Sequence, residues 1–329
     1  MNESTAAALP DVDVWHHRRG HDPHGGQATL MSGQPATEDP AVFESHRPAM
    51  LALAYRMLGD VGRAQDMVQE AWLRWHQRDV EVDSPKAFLV TVVTRLCLNE
   101  LTSARARREE SRSDRLPEPV DLDEGGMARL EEREQLSMAI LVVLERLTPA
   151  ERATLLLHDV FDFSHEEIAT LVSRSAAACR KLLERARHKV AAGRRLISAS
   201  REEHQQLLDA FIRAASAGDV AGLVDLLAPD AVLITDGGPE GRVFRGLRNL
   251  RRPLEGAERI AAFVVATSRR AVLDVEQREL NGQPALVFYR DERPFAAVLL
   301  AVTDGKIQRV FFHADLSRLR YLGHGRPSH

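Results

Sequence analysis

The chain has 329 residues, of which 44% are hydrophobic and 28% charged, a composition typical of a globular protein with two or three domains. Its apolar runs are far shorter than a membrane-spanning helix, and its N-terminus lacks the apolar core of a secretory signal, so we expect a cytoplasmic protein. The formal net charge of −4 argues weakly against nucleic-acid binding. However, residues 174–195 hold eight lysines and arginines and one acid, whereas residues 114–140 hold eight acids and three arginines.

Residues 1–40 predict a disordered tail, because they are rich in Pro, Gly, Ser and His and show little periodicity. Met31 stands before more ordinary sequence and is an alternative start. Cys97 and Cys179 are far apart and lie inside predicted helices without metal-binding spacing, so we expect two reduced core thiols. We expect no metal site and no cofactor, even though the tail contains His16, His17, His21 and His24.

Residues 41–112 predict the first of two all-α domains. An amphipathic stretch, Phe43–Leu58, ends at a Gly-Asp-Val-Gly break, and a second helix over 63–78 carries apolar residues at helical spacing. Ser84 and Pro85 are typical of a helix start, with Ser as the cap and Pro at the first helical position.

Residues 113–135 predict a linker between the two helical domains. This segment places prolines and glycines among acidic residues, a pattern that favours an extended chain over a helix. The residues that carry the pattern are Pro117, Pro119, Gly125 and Gly126.

Residues 136–198 predict a helix-turn-helix. Ser164 and Glu167 have the spacing of a capping box, and a short turn at 173–174 leads to a second helix over 176–190. That helix places small and apolar residues on one side and cations on the other. Cations suit phosphate neutralisation, and small residues at the helix start suit entry into a major groove. The alternative is a helical hairpin with a solvated basic face.

The candidate DNA-contacting residues divide by their position in the basic helix. Arg180 and Lys181 lie nearest its start and therefore nearest the bases, whereas Arg185, Arg187 and Lys189 are better placed to hold phosphates. Arg174 and Ser175 precede the helix, where Ser175 can cap it.

Residues 201–320 predict an α+β domain. Two helices, at about 202–216 and 219–227, precede a strand, a helix over 256–269 and a series of β-like segments. Asp304-Gly305 predicts a hairpin turn that leads into a last strand over 306–313. The whole chain is therefore predicted to be multidomain, with two all-α domains followed by one α+β domain.

Several segments resemble extracytoplasmic-function sigma factors, in particular the subgroup with a C-terminal SnoaL-like domain. Residues 64–74 resemble the polymerase-binding helix of that family. Residues 147–152, 158–161, 178–180 and 185–187 resemble its promoter-reading domain. The subgroup's linker has a counterpart in Leu116-Pro117-Glu118-Pro119. Its C-terminal motifs resemble Asp236-Gly237-Gly238 and residues 252–260.

This resemblance implies an alternative sigma factor whose partners are core RNA polymerase and promoter DNA. Its regions would be region 2 (41–112), region 4 (136–198) and a regulatory SnoaL-like cone (201–320). It implies that a polymerase-facing surface is formed by Asp66, Gln69, Glu70 and Arg74; by pattern alone, these residues form a solvated helix face. Candidates for promoter melting are Arg95, Asn99, Arg105, Arg107 and Arg108.

The chain departs from the family pattern at a few positions. Arg63 and Gln65 replace acids in the polymerase-binding helix, Arg115 stands where a tryptophan is common, and Pro239-Glu240-Gly241 follows the Asp-Gly-Gly turn. His313-Ala314-Asp315-Leu316 replaces an Asn-Pro-Asp-Lys type motif. We expect the linker and the C-terminal motifs, including His313 and Asp315, to regulate activity.

An enzymatic role for the C-terminal domain is the alternative. SnoaL-like cones include cyclases and isomerases that use an Asp or His as acid and base, and Asp236 with His313 is the only such pair that the sequence offers. Asp236 lies in a Gly-rich turn, which favours a structural role, so we expect no enzyme. The competing hypothesis is a SnoaL-type enzyme or ligand sensor fused to a DNA-binding regulator; the sequence identifies no ligand.

Overall fold

Three helices form the first domain of the protein. The computed structural model describes residues 39–79, 81–108, 115–122, 136–194, 199–238, 243–244, 247–248, 250, 252–268 and 274–323. The three helices are α1 (Asp39–Leu58), α2 (Val61–His76) and α3 (Pro85–Arg108). The break after α1 and the start of α3 confirm the predictions. Asp60 caps α2, its carboxylate accepting a hydrogen bond from the Arg63 N–H at 2.9 Å. The tail histidines lie outside the described residues.

Four helices follow the linker: α4 (Met138–Glu145), α5 (Pro149–Asp159), α6 (His165–Val172) and α7 (Ala176–Arg194). The capping box predicted for α6 is present, with the Ser164 N–H donating to the Glu167 carboxylate at 2.7 Å. Thr148 and Glu151 form a second capping box, at α5. The turn between α6 and α7 has no glycine; Ser173 takes the left-handed conformation itself, with φ of 52°.

The two helical domains share one apolar core. Trp75 and Leu53 of the first domain belong to the same buried cluster as Leu147 and Leu156 of the second. Arg152 of α5 is also buried there and donates a hydrogen bond to the backbone oxygen of Met57. Cys97 and Cys179 are buried free thiols, and burial raises the pKa of both above the ordinary value.

The C-terminal domain combines three helices with a mixed sheet. The helices are α8 (Arg201–Ala217), α9 (Val220–Leu226) and α10 (Ala257–Ser268). Six strands form the main sheet in the order β4-β1-β8-β7-β6-β5, and β2 (Val243–Phe244) pairs with β3 (Leu247–Arg248) separately. The main strands are β1 (Leu227–Asp236), β4 (Leu254–Glu255), β5 (Asp274–Leu280), β6 (Gln283–Arg290), β7 (Arg293–Thr303) and β8 (Lys306–His313).

The β-like segments predicted after α10 form an antiparallel meander over β5 to β8, and β1 joins it parallel to β8. Two helical domains are followed by a domain of helices and a mixed sheet, and this order confirms the predicted fold class. No described helix combines the length and apolar character needed to cross a bilayer.

The main sheet buries both of its faces, but with different partners. One face packs against the domain's own helices, as Leu233 and Val310 cluster with Leu208 and Ile260. The other face packs against residues from outside the domain: Leu116 of the linker and Met138 of α4 join Phe311 in a second cluster. The C-terminal domain is therefore packed against both the linker and the second helical domain.

Candidate nucleic-acid interface and linker docking site

The residues predicted to face polymerase share one face of α2. Asp66, Gln69 and Arg74 are exposed and Glu70 is half-buried, while the opposite face is buried in the core. Glu70 and Arg74 form an i,i+4 ion pair with a 3.0 Å separation between Oε1 and Nε. Leu73 lies at the centre of this face and is 46% exposed. Leu73 was not among the predicted residues, although its position between Gln69 and Arg74 on the helix places it on the same face.

The promoter-melting candidates lie on α3. Arg95 and Asn99 are both exposed and one turn apart, whereas Leu96 beside them is buried. The backbone of Arg105, Arg107 and Arg108 continues the helix, but their side chains lie outside the described part of the structure.

The predicted DNA-reading surface of α7 is exposed along its length. Ser175 caps this helix, its hydroxyl oxygen accepting a hydrogen bond from the Ala178 N–H at 3.2 Å. The apolar side of α7, which includes Cys179, Leu183 and Ala186, is buried. The cations on the other side are all exposed: Arg180, Lys181, Arg185, Arg187 and Lys189, with Arg174 in the preceding turn.

Three of these cations are paired with carboxylates of α5. Glu151 accepts from Arg185 Nε and from Lys189 Nζ, each at 3.0 Å. Hydrogen bonds from the Thr148 N–H and from the two cations outweigh burial and lower the pKa of Glu151 to about 2. Asp159 pairs with Arg187 at 2.6 Å and with His158 at 3.0 Å. Glu151 and Asp159 were not among the predicted site residues.

The linker carboxylate Glu118 lies buried against the start of α2. Its Oε2 accepts a hydrogen bond from the Val61 N–H at 2.6 Å, and its own N–H donates to the Gly59 oxygen at 2.8 Å. Burial, followed by the nearby Asp60 charge, raises the pKa of Glu118 above its ordinary value. Arg318, near the C-terminus, donates to the same Gly59 oxygen at 2.9 Å. The linker and the C-terminal segment therefore meet at the loop that precedes α2.

A buried tyrosine and asparagine join three parts of the chain. The Tyr55 hydroxyl of α1 donates to the Glu118 backbone oxygen at 2.5 Å and accepts from Asn281 Nδ2 at 2.7 Å. Asn281, in the β5–β6 turn, also exchanges backbone and side-chain hydrogen bonds with Val120. The first helical domain, the linker and the C-terminal domain are thus connected through one fully buried polar group of residues.

The predicted regulatory motifs come together on the same face of the sheet. Asp236 and His313 are register partners on β1 and β8. Asp236 accepts hydrogen bonds from the Leu116 N–H at 3.2 Å and from the Gly238 N–H at 3.0 Å. A Cβ on Gly238, which has φ of +82°, would lie 3.0 Å from the Asp315 carboxylate. The Asp-Gly-Gly turn therefore lies against the C-terminal motif. The neighbouring linker residues are all buried: Leu116, Pro117, Glu118 and Pro119.

Several residues of this docking site were not predicted. Tyr55, Asn281 and Arg318 are distant from Glu118 in sequence, and nothing in their local pattern indicates that they meet. Asn281 did carry a signal, because Asn-Gly between two β-like segments is typical of a hairpin turn. Linker residues 123–135 and the sequence after Gly238 that departs from the family lie outside the described residues.

Comparison with known proteins agrees with this arrangement. The family models for Sigma-70 region 2 and Sigma-70 region 4 match residues 42–107 and 137–190. The sequence is 36% identical to the ECF RNA polymerase sigma factor SigJ of Mycobacterium tuberculosis over 281 residues, covering 80% of this chain and 88% of that one. It is 31% identical to the probable ECF RNA polymerase sigma factor SigI of the same species, covering 82% and 91%.

The likeness extends to three dimensions and to the C-terminal domain. The crystal structure of Mycobacterium tuberculosis extracytoplasmic function sigma factor SigJ superimposes with a TM-score of 0.66 at 29% identity, covering 86% of this chain and 98% of that one. A match of that extent is longer than the two helical regions together and so includes the mixed-sheet domain. This chain therefore belongs to the extracytoplasmic-function RNA polymerase sigma factors, the promoter-recognition subunits of transcription initiation.

Proposed function

We propose that this sigma factor binds core RNA polymerase through the exposed face of α2 and reads promoter DNA through α3 and α7. Its C-terminal domain regulates these activities through its contacts with the linker and is not an enzyme. The exposure of Asp66, Gln69 and Arg74 on one face of α2 supports the first assignment. The exposed cations of α7, on the side opposite its buried apolar stripe, support the second.

The observation that carries the regulatory assignment is the contact between the C-terminal domain and the loop before α2. Arg318 and Glu118 both bond to this loop, and Asn281 holds the linker against Tyr55 of α1. Any change in the docking of the C-terminal domain would therefore alter the hydrogen bonds at the N-terminus of the proposed polymerase-binding helix. The same docking restricts the linker and hence the separation of the two DNA-binding domains.

The surroundings of Asp236 and His313 support a role other than catalysis. Both lie on the sheet face that is covered by the linker, with Asp236 bonded to Leu116. Burial, followed by the nearby Arg318 charge, lowers the pKa of His313 to about 3, so the imidazole is neutral at physiological pH. An acid–base residue needs access to substrate and a pKa near the working pH, and the buried His313 has neither.

Run-off transcription with purified core polymerase tests the proposal. Templates are enriched from random DNA by the holoenzyme, and the full chain is compared with Asp66→Lys/Glu70→Lys, Arg180→Ala and Arg318→Ala. The first variant should lose retention on core polymerase, whereas the control Glu202→Lys/Glu258→Lys, with the same charge change on exposed residues of the C-terminal domain, should not. Arg180→Ala should transcribe poorly although it binds core polymerase normally. Unchanged retention of the α2 variant would remove the polymerase assignment.

The regulatory part of the proposal depends on the third variant. Arg318→Ala should change promoter-dependent transcription at least several-fold without loss of folding, because it releases the contacts with Gly59 and Asp236. Transcription equal to that of the unaltered chain would argue against regulation through this contact.

A further inference from the structure

The ion pairs between α5 and α7 point to a role for a buried carboxylate outside the exposed face of α7. We propose that Glu151 is a positioning residue for promoter recognition, which fixes Arg185 and Lys189 on one flank of α7 so that their remaining donors meet the DNA backbone. The inference rests on the proposed DNA-reading role of α7 and adds the element that orients its cations.

Glu151 is far more buried than Arg185 and Lys189, the two cations that it holds. The Glu151 side chain is only 4% exposed, whereas Arg185 and Lys189 are 57% and 44% exposed. The carboxylate itself is fixed by the Thr148 N–H at 3.0 Å, within the capping box of α5. One buried, anchored anion therefore holds two cations that reach solvent.

The bonding pattern leaves both cations able to bind a second anion. Among the described contacts, Arg185 uses only Nε towards Glu151, so its two terminal nitrogens remain for phosphate. Lys189 uses one of the three donors of its ammonium group. Long cationic side chains lose rotamer entropy when they bind, and a support that orders them beforehand lowers that loss.

The positions of the cations around α7 match the two strands that border a major groove. At 100° per residue, Arg185 and Lys189 lie on one flank of the exposed face, and Arg180 and Arg187 lie on the other. Asp159 supports Arg187 on the second flank at 2.6 Å. The helix-turn-helix thus carries a supporting carboxylate on each side of its recognition helix.

Removing the Glu151 charge distinguishes positioning from simple electrostatics, because the two effects have opposite signs. Glu151→Gln makes the domain more positive, so without a positioning role its affinity for DNA should stay equal or rise. If Glu151 positions the cations, the affinity for a promoter must fall although the net charge favours DNA.

The experiment measures holoenzyme binding to two duplexes, one enriched from random DNA by the holoenzyme and one of shuffled sequence. For Glu151→Gln we expect the affinity for both duplexes to fall at least fivefold, because the phosphate contacts that Glu151 positions do not read sequence. The salt dependence for the promoter should become shallower by about one to two phosphate contacts. Asp162→Asn removes one negative charge from an exposed turn of the same domain, and its affinity for both duplexes should stay equal or rise. A Glu151→Gln affinity for the promoter within twofold of that of the unaltered chain, or above it, would overturn the inference.

A second variant covers the case in which Glu151→Gln fails to fold. Arg185→Lys leaves the α5 capping box intact but removes the Nε bond to Glu151, so it should lower the same two affinities; unchanged affinities would overturn the inference. If the unaltered holoenzyme did not discriminate between the two duplexes, the proposed function itself would fail. Discrimination by the unaltered chain together with unchanged variants would refute the positioning role alone.

Discussion

The two faces of the C-terminal sheet differ in what covers them. The face that carries Leu233 and Val310 is closed by the domain's own helices, and its buried polar residue Thr235 bonds to Leu250 of the same domain. The opposite face is closed by Leu116 of the linker and Met138 of α4. The buried polar residues Asp236, His313 and Asn281 lie on this second side or at its edge.

This difference separates a domain core from a docking surface. An apolar core closed by its own chain segments forms once and does not specify a partner. Buried hydrogen bonds add little net stability when complete, but an unpaired buried donor or acceptor is costly, so they select one arrangement over others. The linker-covered face is therefore the part of the domain suited to report whether the linker is docked.

The largest expected effect is on the helix-covered face. Leu233→Ala should lower the free energy of unfolding by about 2–5 kcal/mol, the usual range for a cavity in a packed core. Chemical denaturation followed by circular dichroism measures it. Leu116→Ala is the matched deletion on the other face, and it should free the linker while the C-terminal domain stays folded. Equal loss of C-terminal structure in the two variants would contradict the distinction between the faces.

The next effect concerns the polar group at the edge of the docking surface. Asn281→Gly keeps the left-handed backbone, which has φ of 53°, but removes the amide that bonds Val120 and Tyr55. The loss should be about 1–3 kcal/mol for each buried partner left unpaired. Hydrogen exchange measured by mass spectrometry should show faster exchange at the linker and unchanged exchange in β7. Unchanged protection of the Val120 amide would show that the linker is held by other contacts.

The sequence predicted the local elements of the chain better than the linker-covered docking surface. Helical spacing, the caps at Ser84 and Ser164 and the Asp304-Gly305 turn are local signals, and the elements that they predict are present. The docking surface depends on pairs such as Tyr55 with Asn281, which are separated by 226 residues. No periodicity reports such a pair, because its members meet only after two domains and a linker have packed.

Strand β5 offers a closer comparison, because neighbouring residues on one strand point to opposite faces. Arg278 pairs with Asp121 of the linker at 2.8 Å, and both side chains are about one-sixth exposed, at 16% and 17%. Asp121→Asn removes the carboxylate charge from this partly buried pair and should destabilise docking by about 1–2 kcal/mol, between exposed and fully buried pairs. Proteolysis rates at the linker under native conditions measure the change. A rate equal to that of the unaltered chain would mean that this ion pair does not stabilise the docking of the linker.

The smallest effect is expected from the neighbouring residue on β5. Glu279 pairs with Arg201 of α8 at 2.5 Å, but the two side chains are 32% and 64% exposed. Water and salt screen such a pair, and holding two long side chains costs entropy, so Glu279→Gln should change stability by less than about 0.5 kcal/mol. Thermal unfolding at low and high salt measures this, with Asp121→Asn as the reference. Because the two pairs have similar separations on one strand, a larger loss for Glu279→Gln would mean that burial is not what distinguishes the two faces.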